Sequence, residues 1–246
     1  MEHFIFLDFH WTQLLQPQWY IEHGGLWLLL FVIFAETGLF AGFFLPGDSL
    51  LFVAGIYAHE MKVDGEVLPG LSHQFLKLVG MGQVRNEWVD LFVMIGLVSL
   101  FGILGNMLGY WTGKKFGPGM YKWKERWFFK RRYLEQAHEF YDKHGGGAIV
   151  AARFIPFIRT FAPIVAGIVQ MDKKKFHFFN IIGCVAWVLS MILAGHFLQK
   201  WILSQFGFDL KQHLEIIVIG IVLVTTAPVI IKLFFGKKKS STSSNS

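Results

Sequence analysis

Four residues sit where their chemistry is expensive. Glu36, Asp48, Arg153 and Arg159 lie inside long apolar stretches. A charge at a bilayer centre costs about 2.5–3.5 kcal/mol on insertion scales, so four left unpaired would cost on the order of 10 kcal/mol. That is comparable to the whole stability of a domain. The four must therefore pair, lose charge or face water. Two acids in one stretch and two arginines in another make mutual pairing the simplest expectation. A purely structural role, ion pairs stapling the stretches together, is weakened because buried pairs stabilise poorly compared with apolar packing.

The residue types suggest a division of labour. Arginine stays charged, and its planar fork can hold a phosphate bidentately. Pro156 stands between Arg153 and Arg159, so freed backbone N–H groups or a helix N-terminus could add to an anion site. A buried carboxyl beside an arginine can exchange a proton during transport, which suits Glu36 and Asp48 to ion coupling. Catalysis is not expected. The arginine stretch holds Thr160 but no histidine, and His144 and His177 only flank it. His196 has no second ligand at helical spacing and reads as a packed polar residue. Neither a metal nor a cofactor is implied, and no nucleotide loop or RNA-binding motif is present.

Composition says what must position these residues. The chain is 54% hydrophobic and only 16% charged, with a mean hydropathy of +0.46. A soluble domain carries about a quarter charged residues. A membrane protein is expected, and the +6 net charge is read as topology rather than as nucleic-acid binding. The one cysteine, Cys184, excludes an intramolecular disulfide.

Three runs suit complete spans: 91–111, 177–198 and 216–235. Roughly 20 helical residues cross a core of about 30 Å. Leu26–Ala58 is too long for one span and too short for two, and Pro46-Gly47 breaks it. A re-entrant hairpin over 26–58 fits. Ala148–Met171 could span by length, but Pro156 and Pro163 interrupt it and basic residues flank both ends. Nine Lys/Arg precede it in Lys114–Lys143, and Lys173, Lys174 and Lys175 follow. The positive-inside rule puts both flanks in the cytoplasm, which requires a second re-entrant hairpin over 148–171. The flanks of the first hairpin are poor in Lys and Arg, so it enters from the other side. Lys237–Lys239 place the C-terminus inside. Two Pro-interrupted segments in corresponding positions point to an inverted repeat. A short internal match supports it: Val53-Ala54-Gly55 follows Phe44-Leu45-Pro46, and Val165-Ala166-Gly167 follows Phe154-Ile155-Pro156.

The expected fold is thus an all-α polytopic membrane protein: two opposed hairpins, about three full spans and amphipathic surface helices. Residues 1–25 read as an amphipathic N-terminal segment, 26–236 as one membrane domain and 237–246 as a disordered basic, Ser-rich tail. Trp123–Tyr141 reads as a basic surface helix. Gly102, Gly105, Gly109 and Gly113, with Asn106, suit close helix packing. Trp111, Trp187 and Trp201 read as interface or packing residues.

The stretches Glu36-Thr37-Gly38 with Phe44-Leu45-Pro46-Gly47-Asp48, and Arg153-Phe154-Ile155-Pro156-Phe157-Ile158-Arg159-Thr160-Phe161-Ala162-Pro163, resemble the paired signatures of the DedA family, also called the SNARE-associated or VTT-domain family. The resemblance runs from about Leu26 to Trp201. It implies a multi-pass protein of the bacterial cytoplasmic (inner) membrane that moves an anionic lipid between leaflets. For bacterial members it implies recycling of undecaprenyl phosphate, coupled to a proton or sodium ion. The family's functional acids would fall on Glu36 and Asp48, and its arginines on Arg153 and Arg159. The alternative is a gradient-independent phospholipid scramblase; a lipid phosphatase is less favoured. A homo-oligomer is compatible with the sequence.

Overall fold

The structure, a computed structural model, describes residues 17–39, 45, 47–58, 61–63, 66–68, 70–84, 86–120, 139, 141, 143 and 145–207. Seven helices and a small ribbon are described. They are α1 (Pro17–Gly38), α2 (Gly47–Ile56), β1 (Met61–Val63), β2 (Glu66–Leu68), α3 (Leu71–Leu78), α4 (Glu87–Met120), α5 (Gly147–Ala152), α6 (Pro156–Ile168) and α7 (Lys173–Phe206). The antiparallel ribbon pairs Met61 with Leu68 and Val63 with Glu66. It adds to the helical expectation, and three-residue strands are too short to show an alternation in sequence.

Two helical segments, Glu87–Gly117 and Lys173–Phe206, are long and apolar enough to cross a membrane. The expected spans 91–111 and 177–198 lie inside α4 and α7. The helices run further because polar turns extend them. Asn86 Oδ1 accepts the Trp88 N–H at 2.9 Å, and Asp172 Oδ1 accepts the Lys175 N–H at 2.9 Å, each satisfying an orphan donor at a helix start. Gly207 closes α7 at φ 64°, a conformation that favours glycine. The third expected span, 216–235, the tail 237–246 and residues 1–16 lie outside the described residues. So do residues 121–138, most of the basic stretch. The later part of the N-terminal segment, from Pro17, continues into α1 across a kink at Gly25, where φ is 54°.

The remaining helices form two broken pairs that meet α4 from opposite ends. In the first, α1 and α2, both outer ends are tied to α3. The Leu26 N–H donates to Gln74 Oε1 at 3.0 Å, the Leu71 N–H to the Tyr57 carbonyl at 3.0 Å, and the Ser72 hydroxyl to the Ala58 carbonyl at 2.9 Å. Ser72 also bonds Asp90, which fixes these ends beside the start of α4. In the second pair, α5 and α6, Ile149 and Val169 share a cluster with Phe176 and Tyr110. The Tyr110 hydroxyl donates to the Met171 carbonyl at 2.6 Å, and Gly117 faces Ile168. These outer ends therefore lie toward the other end of α4. Tyr141 holds α6 through a bond to the Ala162 carbonyl at 3.1 Å; burial pushes its hydroxyl well above the usual range, so it stays a donor. α1 ends with Gly38 against Gly105, and Arg153 at the second break bonds Asn180, whose amide reaches the Ile103 carbonyl, so both breaks face the middle of α4.

The internal match has a packing counterpart. A Cβ on Gly55 would strike the Ile192 carbonyl, and one on Gly195 would strike the Phe52 carbonyl. A Cβ on Gly167 would strike the Tyr110 carbonyl, and one on Gly113 the Ile164 carbonyl. Each short helix thus crosses the long helix of the other half, glycine against the backbone three residues before the partner glycine. Gly105 gives a like approach to the Phe34 carbonyl, and Gly102 makes room for the Cys184 sulfur, in keeping with close packing along that row. The interior is apolar, with Leu29, Leu30 and Ile33 of α1 packed on Leu51, Met94, Val188 and Ile192. The outside is apolar too: Phe31, Phe92, Leu100, Phe178, Ile181 and Trp201 are all exposed. Such a surface suits lipid rather than water.

One expected break is corrected. Pro156 opens α6, with Ile155 extended before it at φ −115° and ψ 108°. This is the geometry that a residue before proline prefers. Pro163, by contrast, lies within α6 and does not end it. Its missing N–H removes the helical bond to the Arg159 carbonyl, while packing against α4 holds the helix together. Gly47 is the first residue of α2; Pro46 lies outside the described residues.

Candidate functional site

The two breaks bring three of the four charged residues into direct contact. Glu36 stands two residues before the end of α1, Asp48 in the first turn of α2, and Arg159 in the first turn of α6. One guanidinium serves both acids: Arg159 Nη1 donates to Asp48 Oδ1 and Nη2 to Glu36 Oε1. Gly47 makes this possible, because a Cβ there would fall on the Glu36 carboxylate. The glycine at 47 is therefore required by the ion pair.

Arg153 departs from the expected mutual pairing. It caps the end of α5, is 2% exposed, and donates through Nη2 to Asn180 Oδ1 at 2.6 Å. Among the described residues no carboxylate forms an ion pair with it. The physical reason is geometric. Arg159 follows Pro156 on a helix that points its fork at both acids, whereas Arg153 precedes the break and turns toward α7.

Two partners on α7 were not singled out as site residues from sequence. Trp187 donates its indole N–H to Asp48 Oδ1 at 3.0 Å, and its ring lies 4.8 Å from Arg159 Cζ. Trp187 is 2% exposed. Its expected packing role holds, yet it also stacks a cation. Asn180 interrupts the apolar run 177–198. The usable signal was their spacing. Seven residues are about two helical turns, so Asn180 and Trp187 share one face of α7. The Asn180 amide also reaches the Ile103 carbonyl at 3.4 Å, fixing α7 against α4. Asn106, buried beside Gly105, donates to the Gly102 carbonyl at 2.6 Å; its Oδ1 has no hydrogen-bond partner among the described residues.

A second charged group lies at the far end of α7. His196 and Lys200, one turn apart, both meet Glu87 at the start of α4. His196 is a packed polar residue, as its sequence context suggests, and it ties α7 to α4.

These features define a class: a helical membrane protein in which two broken helix pairs carry a buried charged centre between two long helices. The VTT domain matches residues 45–197. Over 238 residues the chain is 32% identical to "Protein DedA" of Escherichia coli (strain K12), covering 96% of this chain and 92% of that protein. It is 31% identical over 230 residues to an uncharacterized membrane protein of Mycobacterium leprae (strain TN), covering 94% and 89%. It is 30% identical over 201 residues to the inner membrane protein YqjA of Escherichia coli (strain K12), covering 77% and 79%. No solved structure matches the chain. The chain belongs to the VTT-domain, or DedA, family.

Proposed function

We propose that this protein is a carrier, not an enzyme, that moves an anionic lipid phosphate between leaflets of the bacterial inner membrane. Undecaprenyl phosphate is the cargo that family resemblance favours, with coupling to a proton or sodium gradient. One observation carries the reading: Arg153 is a buried cation whose described polar partner is a neutral amide. Burying an uncompensated charge is costly, and a site that tolerates it gains when an anion arrives. Arg159 lies a few residues away, held by two carboxylates that an incoming phosphate can displace.

The opposed geometry supports the hairpins as re-entrant, entering from the two faces and meeting near the midplane. Non-helical backbone at that depth is tolerated only against protein or trapped water. Phe154, Ile155 and Ile158 are exposed around the second break, while Arg153 and Arg159 are buried beneath them. An amphiphile could keep its tail on this apolar face while its headgroup reaches the arginines. On this reading the basic end of α4, at Lys114 and Lys115, and the C-terminus are cytoplasmic.

The test is reconstitution in liposomes with undecaprenyl phosphate in one leaflet. Protein-dependent movement that responds to a proton or sodium gradient is expected, and Arg153→Ala should abolish it. Absence of movement under every gradient overturns the reading. Movement of many headgroups without gradient dependence identifies a scramblase instead.

A further inference from the structure

The two acids of the centre are held differently. Asp48 Oδ1 takes two side-chain donors, Arg159 and Trp187. It stands at the start of α2, where the helix dipole favours negative charge. Its side chain keeps 19% exposure. Glu36 Oε1 takes a single side-chain donor, Arg159. Its Oε2 lies against Gly47, and among the described residues no side-chain donor reaches it. It stands near the end of α1, where the dipole disfavours a carboxylate, and it is 3% exposed. The charged groups that face Glu36 are Arg159 from α6, Asp48 from α2 and Arg153 from the break after α5.

Resting on the lipid-phosphate reading above, we propose that Glu36 takes up a proton when a headgroup claims Arg159, while Asp48, retained by Trp187, stays ionised and keeps Arg159 in place. If Arg159 turns to a phosphate, Asp48 still has the indole N–H. Glu36 is left with the Gly47 backbone N–H and no side-chain donor, and a buried carboxylate without a cation is the costly species. The exchange balances. Arg159 Nη2 moves its hydrogen bond from Glu36 Oε1 to a phosphate oxygen, and the Glu36 carboxylate binds one proton from solvent. No bond to phosphorus forms or breaks. Two guanidinium charges face two carboxylates beforehand; one monoanionic headgroup and one proton leave that sum at zero. Trp187 acts through Asp48 and Arg159, so it is a positioning residue.

The experiment uses the full chain in detergent with a short-chain polyprenyl phosphate. Affinity is followed by calorimetry, and proton uptake by a pH dye in weak buffer. Wild type should take up protons on binding and bind more weakly as pH rises. Glu36→Gln should take up about one proton fewer per headgroup and lose that pH dependence. Asp48→Asn should keep the uptake with affinity reduced about tenfold or more. Trp187→Phe retains a ring without the N–H. It should follow Asp48→Asn in affinity, keep the uptake, and add nothing in the Asp48→Asn background. Val188→Ala, buried beside Trp187 but outside the centre, should change neither readout and controls for loosened packing. Uptake lost in Asp48→Asn but kept in Glu36→Gln reverses the assignment. Uptake kept in both variants removes the proton from this centre. A further loss from Trp187→Phe in the Asp48→Asn background removes its positioning role. If Trp187→Phe does not fold, the two acid variants still decide. A wild type that does not bind the probe overturns the carrier reading itself, an outcome distinct from all of these.

Discussion

The two broken pairs share a frame and differ in charge. Short helix α2 crosses α7 through Gly55 and Gly195, and short helix α6 crosses α4 through Gly167 and Gly113, with the same reciprocal carbonyl contacts. The residues at the breaks are opposite in sign: Glu36 and Asp48 in one, Arg153 and Arg159 in the other. Packing therefore places the breaks together, and the charges decide what happens where they meet. The pairing is also lopsided. Both acids use Arg159, which leaves Arg153 to an amide. A frame built only for stability would gain more from apolar residues at these positions.

The sharpest way to break the comparison is to remove the shared cation. Arg159→Ala leaves the buried Glu36 carboxylate and the part-buried Asp48 without their cation and should cost about 3–5 kcal/mol, read as a loss in thermal stability in detergent. Adding Glu36→Gln should recover part of it. Frame equivalence is tested next. Gly55→Val and Gly167→Val each push a side chain into a backbone contact and should cost about 1–3 kcal/mol by similar amounts. A loss confined to one of them would show that the two crossings are not equivalent. Asn180→Leu strips Arg153 of its amide and should cost about 1–2 kcal/mol. Added phosphate should raise the melting temperature of this variant more than that of wild type. The smallest effect belongs to the far end of α7. Lys200 is 55% exposed, so Lys200→Ala should change stability by no more than about 1 kcal/mol, and salt should erase the difference.

Much of the frame was legible because it follows from length and breakers. Gly47 opens α2 and Pro156 opens α6, each for reasons internal to the backbone. Glycine spacing on α4 announced close packing, and the short Val-Ala-Gly match pointed to an inverted repeat without showing which helices cross. Pro163 misled because a proline removes one helical bond, and whether a helix survives that depends on its neighbours. The charged quartet was legible as a group, since its insertion cost is local to each residue. Its pairing was not. Whether Arg153 or Arg159 reaches the acids depends on where each lies relative to the turn at Ile155. Trp187 was hidden because a tryptophan in an apolar run looks the same whether it packs on leucine or on a guanidinium.

The frame also sets a timetable. Asp48 meets Arg159 from 111 residues further along the chain and Trp187 from 139 residues further along. At about 5–20 residues per second, the first pair leaves the ribosome on the order of ten seconds before its partners exist. During that interval its two acids face the membrane without their arginine. The newborn segment must wait at the interface or carry its carboxyls protonated until the second half arrives. A chain truncated before α6 should therefore be a substrate for quality control rather than a half-built carrier. Supplying the second half as a separate polypeptide should rescue it.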